Sequence, residues 1–90
     1  MPVYRIEFTR SSKAEFEKLP QKVQDRVLEA LTFLSQNPFS DMLRIKKLKG
    51  VENLYRIRIG DYRILYEVRS DVLVVLIIKI GHRREVYRYL

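Results

Sequence analysis

The strongest constraint in this chain is a run of period-two alternation interrupted once by a glycine. From Leu54 the residues Leu54, Arg56 and Arg58 fall on one side, and Tyr55, Ile57 and Ile59 on the other. Gly60-Asp61 follows, with glycine first as a type II′ turn prefers, and Tyr62–Val68 returns with Ile64, Tyr66 and Val68 in alternate positions. A two-residue turn fixes the register of a hairpin. Ile59 then faces Tyr62, Arg58 faces Arg63, Ile57 faces Ile64 and Arg56 faces Leu65. The apolar side, with Tyr55, Ile57, Ile64 and Tyr66, needs a cover of helices. The other side carries three arginines.

The rest of the chain supplies that cover. Residues 2–8 are β-branched and aromatic enough for a strand. Ser12-Lys-Ala-Glu15 has capping-box spacing and predicts a short helix to Leu19, after which Pro20 opens a second. Val23, Val27, Leu28, Ala30, Leu31 and Leu34 recur at steps of three and four, so residues 21–36 form a helix with one apolar stripe, stopped by Asn37-Pro38. Residues 38–52 read as a lysine-rich loop. After the hairpin, Arg69-Ser70-Asp71 is a turn. Val72–Ile80 is nearly all apolar, as in a central strand buried on both faces. Gly81-His82-Arg83-Arg84-Glu85 breaks it, leaving the short aromatic tail Val86–Leu90. The expected fold is α+β, one domain over residues 1–90. It has an N-terminal strand, a two-helix hairpin and a three-stranded antiparallel meander with both helices on one sheet face.

Composition narrows function by exclusion. There is no cysteine, hence no disulfide framework, thiolate zinc site or cysteine nucleophile. The single histidine, His82, has no carboxylate cluster around it, so no metal is expected. The three glycines are far apart and make no phosphate loop, so no nucleotide cofactor is expected. No secretory signal or membrane-length apolar run is visible, and the cytoplasm is the default location.

The 90 residues carry a net charge of +7, and its distribution is uneven. The first 41 residues hold six basic and six acidic side chains, the remainder twelve and five. A basic half without a cofactor motif points to a polyanion. Arg58 opposite Arg63 is a like-charge pair that costs a few tenths to ~1 kcal/mol. Arginines on an outer sheet face can be a solvated surface that discourages aggregation. Here they follow Lys46, Lys47 and Lys49 and precede Arg83 and Arg84, and arginine is the side chain suited to bidentate phosphate contact. His82 is of the type that titrates near neutrality, which makes it the first candidate for proton transfer, although an isolated turn histidine commonly has no task. Tyr87 and Tyr89 could stack a base or bind phosphate, or plug the core.

Several of these segments together resemble the RelE/ParE superfamily of toxins from type II toxin–antitoxin modules. They are Lys46-Lys47-Leu48-Lys49-Gly50, Leu54–Arg58, Gly60-Asp61-Tyr62-Arg63-Ile64-Leu65-Tyr66, Gly81-His82-Arg83-Arg84-Glu85-Val86-Tyr87 and the Lys18-Leu19-Pro20 junction. The resemblance spans nearly the whole chain. For the RelE branch it implies an endoribonuclease that cuts mRNA in the ribosomal A site without a metal, through attack of the ribose 2′-OH on the adjacent phosphate. It carries the catalytic cluster onto Arg56, Arg58, Arg63, Arg83 and Tyr87, leaving Lys46, Lys47, Lys49 and Arg84 to bind RNA or the ribosome. It also implies a cognate antitoxin, a segment of acidic or mixed charge that folds on binding.

The chain departs from the branch in one respect. The resemblance implies lysines at positions 56 and 58, one of them taking the proton, and arginine is a poor base. Proton transfer then falls to His82 first and Tyr87 second. The ParE branch, which poisons DNA gyrase by protein–protein contact, and a catalytically weak antitoxin-binding module are the alternatives.

Overall fold

The computed structural model describes residues 3–39, 45–48 and 52–82. Seven elements follow one another: β1 (Arg5–Phe8), α1 (Arg10–Glu17), α2 (Gln21–Gln36), β2 (Ile45–Lys47), β3 (Leu54–Ile59), β4 (Tyr62–Arg69) and β5 (Val74–His82). The strands form one mixed sheet in the order β1-β5-β4-β3-β2, antiparallel except that β1 runs parallel to β5. The α+β class and the β3–β4–β5 meander are those expected from the sequence.

The hairpin has the predicted register: Arg58 pairs with Arg63, Ile57 with Ile64 and Arg56 with Leu65. Gly60 sits at φ 58°, the positive value that the first position of the turn requires. On one face of the sheet, Ile57, Ile59, Ile64, Tyr66, Val68, Val75, Ile77 and Ile80 meet Val27, Ala30, Leu31 and Leu34 of α2 in a continuous core. These four α2 residues are the predicted stripe, with Leu28 displaced to the exposed side.

β5 achieves this through a bulge. Its register with β4 passes from Leu65–Lys79 to Tyr66–Ile77, so Ile78 is the extra residue. The bulge lets Ile77 and Ile80, three positions apart, both face the core, which strict alternation forbids.

Four local expectations need correction. The helix cap is Thr9, not Ser12: the Thr9 hydroxyl accepts from the Ser12 amide at 3.1 Å. Ser12 is buried inside α1 and donates to the carbonyls of Thr9 (3.1 Å) and Ile77 (2.7 Å). Glu15 does not reach back to a cap. β1 stops opposite Ile77, leaving the edge of β5 open beyond it. There Glu15 Oε1 accepts from the Ile80 amide at 3.1 Å, while Oε2 receives the Lys79 ammonium. A carboxylate thus takes the place of the missing strand at this edge.

The third correction is β2, a strand within the supposed loop, held by Ile45–Ile57, Lys46–Arg56 and Lys47–Tyr55 pairs. The fourth is Gly81-His82, which extends β5 instead of ending it.

Candidate active site

Cross-strand partners share a face, so the register assigns every candidate residue. Lys46 pairs with Arg56, and Arg56 lies two residues before Arg58, which pairs with Arg63. Lys46, Arg56, Arg58 and Arg63 therefore rise from three adjacent strands on the face turned away from the helices. Strands lie ~4.8 Å apart and alternate residues ~6.7 Å apart, so the four Cα positions lie within about 12 Å of one another.

This face is not a simple solvated surface. Arg58 and Lys46 are exposed and Arg56 is half-buried, but Arg63 is only 4% exposed, beside the fully buried Leu65. Arg63 Nη1 donates to the carbonyls of Gly60 (3.2 Å) and Tyr62 (3.1 Å), tying the guanidinium to the hairpin turn. Its Nε is buried with no hydrogen-bond partner among the described residues. A buried donor left unsatisfied costs about 1–3 kcal/mol. The described ion pairs, Arg5–Glu7, Arg69–Glu67 and Lys79–Glu15, neutralise neither Arg58 nor Arg63. One arginine is fixed by its own turn, and the next stands directly across from it.

His82 lies elsewhere. It pairs with Tyr62, which pairs with Ile59 of the core, so it belongs to the helix-covered face. Its ring meets Tyr62 edge-on at 6.0 Å. It lines a cleft of about 420 Å³ with Glu15, Lys18, Leu19, Pro20 and Ile80 at the α1–α2 junction. The sheet separates His82 from Arg58 and Arg63, contrary to the expectation that it would serve them. The cause is that β5 runs on through Gly81, which leaves the position opposite Arg63 to Gly81 itself.

Lys47 parts from Lys46 in the same way, facing Tyr55 on the helix side. Tyr55 and Tyr66 stack at 5.7 Å. Burial pushes the Tyr66 phenol above its usual range, with the neighbouring Tyr55 adding to the shift, and its hydroxyl donates to the Pro38 carbonyl at 2.9 Å. These tyrosines pack, as expected. Lys49, Arg83, Arg84 and Tyr87 lie outside the described residues. Among the described residues no group of three histidine, aspartate or glutamate side chains gathers to hold a metal. No described helix is long and apolar enough to cross a membrane.

A helical hairpin closes one face of a five-stranded mixed sheet, and arginines pair across strands on the other. The chain belongs to the RelE/ParE superfamily of toxins from type II toxin–antitoxin modules. The family model that matches residues 6–87 is described as the ParE toxin of the type II toxin-antitoxin system parDE. Among curated proteins, Toxin RelE3 of Methanocaldococcus jannaschii is 32% identical over 87 residues, covering 94% of this chain and 97% of its own. The mRNA interferase toxin RelE of Escherichia coli K12 is 28% identical over 88 residues, covering 93% and 90%. Among solved structures, RelE in the RelB-RelE antitoxin-toxin complex from Methanococcus jannaschii superposes with a TM-score of 0.76 at 31% identity, covering 93% of this chain and 98% of that one.

Proposed function

We propose that this protein is the toxin of a type II module and acts as an mRNA interferase, cutting mRNA in the ribosomal A site. The observation that carries the reading is the Arg58–Arg63 pair, a costly like-charge contact on a sheet face that a phosphate would neutralise. Relatives named as RelE toxins and as an mRNA interferase support it.

In the proposed reaction the ribose 2′-oxygen attacks the adjacent phosphorus and the bond to the 5′-oxygen breaks. The products are a 2′,3′-cyclic phosphate and a 5′-hydroxyl. The 2′-OH gives up a proton to a base, and the leaving oxygen takes one. Negative charge grows on the non-bridging oxygens, where preorganised cations act most strongly. Arg63, pinned by Gly60 and Tyr62, and Arg58 opposite it supply that charge, with Arg56 and Lys46 extending the grip along the strand. Neither arginine serves as base. With His82 on the other face, Tyr87 is the remaining proton-transfer candidate, and Arg83 completes the cationic set.

The partner that restrains the toxin is an antitoxin of acidic or mixed charge, in keeping with the RelB-RelE antitoxin-toxin complex of a 31% identical neighbour and with the +7 charge here.

The test is incubation with programmed ribosomes and mapping of mRNA 5′ ends. Cleavage by the wild type, lost about 10²–10³-fold in Arg63→Gln, is the expected result. Undiminished cleavage by an Arg58→Gln/Arg63→Gln double variant refutes the site. The family model bears the ParE description, which favours a second reading as a gyrase poison. That reading requires intact mRNA and an accumulation of cleaved DNA–gyrase complexes.

A further inference from the structure

Phe39 is an unusual exposed hydrophobe. The residue is 48% exposed, yet both its ring and its backbone make defined contacts. The ring stands edge-on to Tyr55 at 5.3 Å and 66°, and Tyr55 in turn stacks on the fully buried Tyr66. The Phe39 amide donates to Asn37 Oδ1 at 3.0 Å. The preceding Pro38 is buried and anchored through its carbonyl by the Tyr66 hydroxyl. Of the exposed large apolar residues described, Phe39 is the one braced by a ring stack.

The charge around it is continuous with the arginine face. β2 is an edge strand. It presents Lys46 opposite Arg56 on the arginine side and Lys47 opposite Tyr55 on the other, both exposed. Tyr55 is the residue whose ring touches Phe39. A cationic path therefore runs from Arg58 and Arg63 through Arg56 and Lys46, over the edge at Lys47, and arrives at a fixed aromatic ring.

We propose that the mRNA strand held by the arginines continues over the β2 edge and stacks an unpaired base on Phe39, with Lys47 against the adjoining phosphate. The inference rests on the mRNA reading above and adds a second contact to it. Unpaired RNA is gripped by this combination of cations tracking the backbone and aromatic rings taking base faces. Such stacking tolerates any base because every base has a π face. A ring already immobilised loses little conformational freedom when a base lands on it.

The experiment uses the full-length toxin and ribosomes programmed with an mRNA that is 2′-deoxy at the scissile nucleotide, so that it binds without being cut. The mRNA carries 4-thiouridine at single positions flanking the codon. Phe39→Leu keeps an apolar cover over Tyr55 but removes the π face, and should weaken binding roughly tenfold. Phe39→Trp should retain affinity. Lys47→Gln should weaken binding and lower the salt dependence by about one counterion. Irradiation should crosslink a flanking thiouridine to position 39. Thermal melts of each variant separate loss of contact from loss of fold.

If Arg58→Gln weakens binding while Phe39→Leu and Lys47→Gln do not, this inference is overturned and the mRNA reading stands. If the wild type does not bind programmed ribosomes, both fall. Loss of antitoxin affinity alone in Phe39→Leu, or a crosslink to ribosomal RNA instead of the mRNA, also overturns it.

Discussion

Replacing Arg58 with threonine should make the protein more stable and less active at once. Arg58 is exposed and stands directly opposite Arg63, whose side chain is buried against its own turn. The two guanidinium groups leave adjacent positions on one face, so their repulsion is on the cross-strand scale, somewhat larger where one partner is desolvated. That scale is about 0.2–1 kcal/mol. Threonine is a good strand residue and removes the repulsion without opening a cavity, since Arg58 is not a core side chain.

For a chain of this size 1 kcal/mol corresponds to roughly 4–8 °C in Tm, so the variant should melt about 1–8 °C higher in low salt. The gain should shrink on raising salt from 0.05 to 0.5 M, because the repulsion in the wild type is screened. Cleavage on programmed ribosomes should fall by about two orders of magnitude, since one of the two opposed cations is gone. The measurements are melts by circular dichroism at both salt concentrations and 5′-end mapping. A lower Tm in low salt, or parallel salt dependence of the two proteins, would refute the view that the Arg58–Arg63 contact is kept for function at a cost to the fold.

His82→Gln should leave ribosomal cleavage within about twofold of wild type, since the sheet lies between His82 and the arginines. A large loss in kcat with unchanged ribosome binding would restore it as a proton-transfer residue. Glu15→Ala should destabilise by about 1–3 kcal/mol, seen as a lower midpoint in urea unfolding, because the Ile80 amide loses its acceptor. Gly60→Ala should cost about 1–2 kcal/mol from the φ of 58° alone. The added Cβ also comes within 3.4 Å of Arg26 Nη1, and a Tm equal to wild type would count against the positive-φ turn.

The hairpin was legible in the sequence because two independent signals agreed. The two-residue Gly60-Asp61 turn set the pairing, and the alternation on either side set the faces. That was enough to bring Arg56, Arg58 and Arg63 together. Where a signal depended on a partner strand, the sequence was silent. Ile45-Lys46-Lys47 carries no alternation long enough to read, and becomes a strand because Ile57, Arg56 and Tyr55 offer it an edge. In sequence Lys46 and Lys47 form one basic cluster, and only strand geometry sends them to opposite faces. The bulge at Ile78 left no trace in an apolar run where every residue is acceptable on either side. The position of His82 is hidden for a related reason: a glycine before a histidine and two arginines reads as the end of a strand, whereas in β5 it is one more position of the ladder. Thr9 and Ser12 both stand three residues before a possible capping partner, and the choice between them was made by the Ile77 carbonyl, which takes the Ser12 hydroxyl.

The parallel pairing of β1 with β5 has a consequence for how the protein is made. Arg5–Phe8 find their partners only at Val74–Ile77, so the sheet joins segments from opposite ends of the described chain. Such long-range closure carries a high entropic cost before it is rewarded, and slows folding. A nascent chain halted before Val74 has no neighbour for β1 and no backing for β4, the strand that holds Arg63. Synthesis must run past that point before the arginine face acquires its full scaffold, so incomplete translation products carry the charges without the geometry that would use them.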